Sequence, residues 1–190
     1  MQKQFVFSLL LLLLPATYLA AGPLQDGLNA YQAKLYQTAR QRWLPLAKQG
    51  NADAQYNMGL LYLNGYGVKK NPRTAMQWFK KAARQGNADA QYNLGVIFYE
   101  GLGVVKSSRD ALMWWTVAAD KDHAAAEYNL GALYVLGIAG NKEQDVGISL
   151  WKKSAQQGYL AARQALSHAY AEGLFGLKKD PQEAKRWSNY

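Results

Sequence analysis

The chain has 190 residues, 49% of them hydrophobic and 13% aromatic, enough for one sizeable domain with a packed core and unlike a disordered chain. It contains no cysteine, which excludes disulfides, thiolate metal sites, thiol catalysis and a lipidated N-terminal cysteine. The net charge is +9, and the basic residues read as scattered pairs near helix ends, such as Lys69–Lys70, Lys80–Lys81, Lys152–Lys153 and Lys178–Lys179. No basic stripe interleaved with aromatics appears, so the charge reads as a solvated face and nucleic acid is not an expected partner.

Residues 1–21 read as an address. Lys3 gives a positive start, Phe5 to Leu14 is an almost unbroken apolar run ending at Pro15, and Ala20, Ala21 and Gly22 follow. That is the layout of a cleaved secretory signal, cut near Ala20 or Ala21. The run is shorter than the roughly 20 residues a membrane-spanning helix needs. The expectation is a periplasmic or secreted protein with no integral membrane span after cleavage.

Residues 22–50 form an opening helix pair that caps the array. Leu28, Tyr31 and Leu35 recur at helical spacing, as do Ala39, Trp43 and Leu46–Ala47. Gly50 ends the second helix, and Pro45 inside the pattern is expected to bend or loosen it.

From residue 51 the chain repeats. Gly59, Gly95 and Gly131 are 36 residues apart, as are Gly65, Gly101 and Gly137, and Tyr62, Phe98, Tyr134 and Tyr170. A period of this length marks a stacked-repeat architecture, with units at 51–86, 87–122, 123–158 and a divergent last one at 159–190. Each unit reads as helix, glycine turn, helix. Ala54, Met58, Leu61 and Tyr62 project onto one face of a helix. Gly59 beside them predicts a close helix crossing, since glycine inside a helix otherwise costs about 1 kcal/mol against alanine. Gly65 and Gly67 suit positive φ in the turn, and Val68 is placed to reach back to the core. Asn71 is the expected N-cap of the second helix, with Pro72 at its first position and Ala75, Trp78, Phe79 and Ala82–Ala83 on its inner face.

These residues resemble the Sel-one-like repeat family, relatives of the tetratricopeptide repeats. The second unit matches with Ala90, Leu94, Gly95, Phe98, Gly101, Gly103, Val104, Ala111, Trp114–Trp115 and Ala118–Ala119. The third departs at Ala139, Gly147 and Leu150–Trp151, and the fourth at Ser167 and in Gly173 to Gly176. The resemblance implies an all-α, right-handed α-solenoid of stacked antiparallel helix pairs. It also implies a protein-binding scaffold or adaptor and not an enzyme.

Catalytic chemistry finds no foothold. The two histidines, His123 and His168, lack a second ligand at i+3 or i+4, and read as plain surface or interface residues. There is no HExxH, GxSxG or P-loop, and the Gly65–Gly67 and Gly101–Gly103 pairs follow helices, where a phosphate loop would follow a strand. Asp120 and Asp122 read as solvated residues at a helix end. No cofactor and no metal is expected.

The remaining candidate surface lies opposite the buried face of each first helix. It comprises Tyr56, Leu60 and Leu63, then Tyr92, Val96 and Tyr99, then Tyr128 and Val135, then His168, with Asn57, Asn93 and Asn129 beside them. In helical-pair solenoids first helices line the concave side, so these residues are expected to form a groove for a protein partner; tyrosines give contact area at low entropy cost and amides adaptable hydrogen bonds. The same residues could instead pack against the adjacent repeat. The resemblance implies several roles: an immunity protein neutralising a type VI secretion lipase toxin, or an envelope scaffold or regulator associated with a flagellar motor or a sensor. A hydrolase acting on cell-wall or lipid material and a binder of anionic surfaces are the alternatives.

Overall fold

The computed structural model describes residues 22–138 and 143–189. The expected secretory leader and the Ala139 departure lie outside the described residues. The described chain is all helix and turn: α1 (Pro23–Gln32), α2 (Tyr36–Lys48), α3 (Ala52–Asn64), α4 (Pro72–Arg84), α5 (Ala88–Glu100), α6 (Ser108–Ala119), α7 (Ala124–Leu136), α8 (Gln144–Gln156), α9 (Leu160–Glu172) and α10 (Pro181–Asn189). Each helix packs chiefly on its neighbours in the chain, giving a solenoid of stacked antiparallel helix pairs. No described helix is long and apolar enough to cross a membrane.

Local signals set the helix ends. Asn51 Oδ1 accepts the Ala54 N–H at 2.8 Å, and Asn87 Oδ1 accepts that of Ala90 at 2.8 Å. Asn71 caps α4 through the Thr74 N–H at 3.1 Å, with Pro72 in the first position. Gly65, Gly101, Gly137 and Gly173 end the four first helices with φ of 78°, 70°, 70° and 70°, the left-handed region that an L side chain disfavours. Helix α2 continues through Pro45, which is exposed.

The repeated helix glycine is a ring seat. A Cβ on Gly59 would lie 2.4 Å from the Phe79 ring, on Gly95 2.3 Å from Trp115 and on Gly131 2.6 Å from Trp151. The opening pair uses the same device, with Gly27 under Trp43. Sunk this deep, each indole finds a backbone acceptor: Trp43 Nε1 donates to Leu24 O, Trp115 Nε1 to Tyr92 O and Trp151 Nε1 to Tyr128 O. In the last pair Ser167 occupies the seat, and Trp187 Nε1 instead donates to Glu183 of its own helix.

The stack is also tied by polar groups at each junction. Gln55 Nε2 donates to Ala47 O and Gln91 Nε2 to Ala83 O, both buried. The third copy is Glu127, fully buried, whose Oε1 lies 2.8 Å from Lys153 Nζ and whose Oε2 accepts from Gln157 at 2.6 Å. Lys153 also pairs with Asp122 at 2.7 Å, so Asp122 is an ion-pair partner and not a merely solvated residue. Those two carboxylates, Asp122 first and Glu127 second, hold the Lys153 ammonium well above its ordinary pKa.

Candidate functional site

The first helices carry apolar side chains around much of their circumference because each is gripped on one side by its own second helix and on the other by its neighbours. The expected groove residues therefore divide. Tyr92, Val96, Tyr99 and Asn129 come together and line one hollow of about 260 Å³ between α5 and α7, with Trp115 in its wall and Ala132 and Leu133 opposite. Its rim is Glu100, Leu136 and Ile138; Leu136 is 57% and Ile138 42% exposed. Tyr99 is held by Trp115 at 5.3 Å between ring centres, and the Lys106 ammonium lies 5.1 Å over the Tyr99 ring.

The other expected residues sit elsewhere. Tyr56, Leu60 and Leu63 are half-buried against the core cluster of α4 and α5. Asn57 is buried. Val135 is fully buried, which corrects its expected place on an open groove. The cause is Gly147 of α8: a Cβ there would lie 2.5 Å from Val135 Cγ1 and 2.7 Å from Gly131 O. Without that side chain α7 and α8 close together, and Val135 fills the space. Tyr128 stacks near Trp151 and Tyr159, at 6.0 and 5.5 Å. His168 is exposed and lines a separate open hollow between α9 and α10 with Leu160, Gln164 and Trp187.

The tyrosines form a ladder linking consecutive first helices. Burial, then Asp89, Tyr31 and Tyr92, push the Tyr56 hydroxyl up to about 12, against a hydrogen bond with Asn93 of the next repeat. Burial and Tyr159 likewise raise Tyr92, opposed by a hydrogen bond with Asn129. Asn93 and Asn129 thus serve the ladder. His123, expected as a plain surface or interface histidine, is the N-cap of α7. Its Nδ1 accepts the Ala126 N–H at 3.2 Å, which leaves the proton on Nε2 to be donated to Asp89 Oδ1 at 3.2 Å. The ring stacks on Tyr92 at 4.8 Å, and the hydrogen bond from His123 holds the Asp89 carboxyl below its ordinary pKa. His123 stands 36 residues after the cap Asn87, and that spacing is the signal by which the sequence shows it. Among the described residues no group of three or more His, Asp or Glu could hold a metal ion.

The Sel1 repeat matches four times in succession, over residues 52–87, 88–123, 124–159 and 160–189. The chain belongs to the Sel1 repeat family. Among solved structures it is similar to a Sel1 repeat protein from Oxalobacter formigenes, with 36% identity, a TM-score of 0.79, and coverage of 88% of this chain and 66% of that one. It is also similar to c5321, a protective antigen of uropathogenic Escherichia coli, with 29% identity, a TM-score of 0.77, and coverage of 87% and 36%. A Sel1 repeat protein from Klebsiella pneumoniae shares the fold, with 19% identity, a TM-score of 0.59 and coverage of 88% and 83%. The chain thus spans about two thirds of the length of the first relative and about a third of the second. No curated protein sequence matches.

Proposed function

We propose that this Sel1 repeat protein is an exported, non-enzymatic interaction module that holds a protein partner in the hollow between α5 and α7. The observation that carries the reading is an aromatic-walled hollow with an exposed apolar rim: Tyr92 and Tyr99 inside, Leu136 and Ile138 outside. Rigid aromatics surrounded by exposed apolar side chains are what a protein anchor residue packs into. The fold supports the same class of activity, because stacked helix pairs present extended surfaces for partners. Export rests on the sequence of residues 1–21. Neutralising a secreted toxin and serving as an envelope scaffold or regulator are two forms of this capture, separated by the identity of the partner.

The test replaces the rim and leaves the core alone. Leu136→Asp with Ile138→Asp is expected to abolish capture of the partner that the wild-type chain retains from the periplasmic fraction, with helicity and melting unchanged. Val117→Asp, on the opposite helix layer, is the control. Capture that survives the rim pair, or that both variants lose equally, would overturn the assignment of the groove.

A further inference from the structure

The basic residues are not evenly scattered. Between residues 33 and 86 there are ten Lys and Arg against a single acid, Asp53, whereas residues 87–190 carry eleven of each sign. The chain's net +9 therefore resides in one third of it. In the C-terminal part three basic residues have acidic partners: Lys153 with Asp122 and Glu127, Lys179 with Glu172, Arg186 with Glu183. None of the basic residues on α2 or α4 is in an ion pair among the described residues, and neither helix contains an acid.

Seven of the ten lie on those two helices, which are equivalent second helices of consecutive pairs. Trp78 of α4 packs on the core cluster built from α1, α2 and α3, and α2 and α4 both pack on α3. Lys48 and Arg84 hold equivalent positions one 36-residue period apart, as do Arg42 and Trp78, over whose ring the Lys81 ammonium lies at 4.5 Å. Arg42, Lys48, Arg73, Lys81 and Arg84 are exposed. The helix dipole accounts for Lys48, Lys81 and Arg84, which sit in last turns, and Arg73 Nε donates to Gly103 O at 2.8 Å, but neither accounts for Arg42. Like charges concentrated on one part of a chain repel one another, and a counter-charge from outside the chain relieves that repulsion.

We propose that the α2–α4 face docks on an anionic lipid bilayer. The face is spread over two helices of 13 residues, each about 20 Å long. No side chain of α2 or α4 lines either hollow described above. An extended field of charge outside both hollows suits the diffuse potential of phosphate headgroups, and Trp78 among the lysines is the aromatic type that sits at the headgroup level. The groove between α5 and α7 belongs to the other helix layer and stays open while α2 and α4 rest on the surface.

The experiment is sedimentation of the mature chain with mixed phosphatidylglycerol–phosphatidylcholine vesicles and with pure phosphatidylcholine vesicles. Binding to the anionic vesicles alone, weakening as salt rises, is expected. The triple variant Arg42→Gln, Lys81→Gln, Arg84→Gln is expected to bind roughly 100-fold more weakly, from about five-fold per charge near an anionic surface. The triple Arg109→Gln, Lys152→Gln, Lys185→Gln removes the same charge from other second helices and is expected to leave binding within a few-fold. Equal losses in both triples would mean bulk charge alone and overturn the assignment. Binding of soluble polyglutamate with no binding to the anionic vesicles would assign the face to an acidic protein and overturn it as well. The Leu136→Asp, Ile138→Asp pair is expected to keep full vesicle binding, so this proposal and the groove fail separately.

Discussion

Gly95→Ala places a methyl group where the Trp115 ring already is. The new Cβ would lie 2.3 Å from Nε1 and 2.4 Å from Cδ1 of a ring that is only 3% exposed and has little room to swing. Trp115 must move, and its Nε1 then loses the 3.2 Å hydrogen bond to Tyr92 O. Overpacking of this kind costs about 1–3 kcal/mol. The lost hydrogen bond adds about 1 kcal/mol. Alanine's better helix propensity offsets about 1 kcal/mol. The net is a destabilisation of about 2 kcal/mol, which for a chain of this size lowers Tm by about 4–8 °C. Thermal unfolding followed by circular dichroism reads this directly. Ser167→Gly is the counterpart, because the fourth repeat already carries a side chain at the seat position; it should change stability by no more than about 0.5 kcal/mol. A Gly95→Ala protein that melts at or above the wild-type temperature would refute the ring-seat account of the repeat.

Three further predictions concern the junctions. His123→Ala removes the cap of α7 and should cost about 1 kcal/mol in denaturant unfolding, whereas His123→Asn, the residue type at the equivalent Asn51 and Asn87, should cost a few tenths at most. Lys153→Met leaves the buried Glu127 carboxylate with only Gln157 and should cost about 1–3 kcal/mol; adding Glu127→Gln should restore most of it, since a glutamine there can donate to Ala119 O as Gln91 does to Ala83 O. Tyr56 is held protonated in the folded state, so its contribution is intact below the ordinary tyrosine pKa and is lost as pH rises through about 12. Tyr56→Phe should therefore flatten the alkaline loss of stability above about pH 10, measured by denaturation across that range.

The fold was legible because its devices recur at one period. Gly59, Gly95 and Gly131 announce close crossings, and each holds a ring; Asn71 with Pro72 announces a helix start; Val68 packs back on the core as its position implies. The candidate site was legible only in part. A wheel of one helix shows which residues share a face but not what the neighbouring helix does to that face. Val135 disappears into the core because of a glycine twelve residues later in another helix. Leu136 and Ile138, at and just after the end of α7, stand within the third unit at positions that differ from copy to copy, Asn64 and Tyr66 in the first and Glu100 and Leu102 in the second, so what the units share does not mark them. Glu127 occupies the place of a glutamine, and only the packed junction shows that the carboxylate is buried and met by Lys153. The charge was missed for a simpler reason: basic pairs recur along the chain, and the missing acids between residues 33 and 86 show only when both signs are counted by segment.

The central claim, that partner contact lies in the α5–α7 groove and not on the rest of the frame, is tested most directly by site-specific photo-crosslinking in cells that produce and export the chain. A photoreactive phenylalanine analogue at Leu136 should give one discrete protein adduct. The same analogue at Val105, which is 87% exposed on a turn, should give none. Adducts from Val105 equal to those from Leu136, or no adduct from Leu136 at all, would contradict the account.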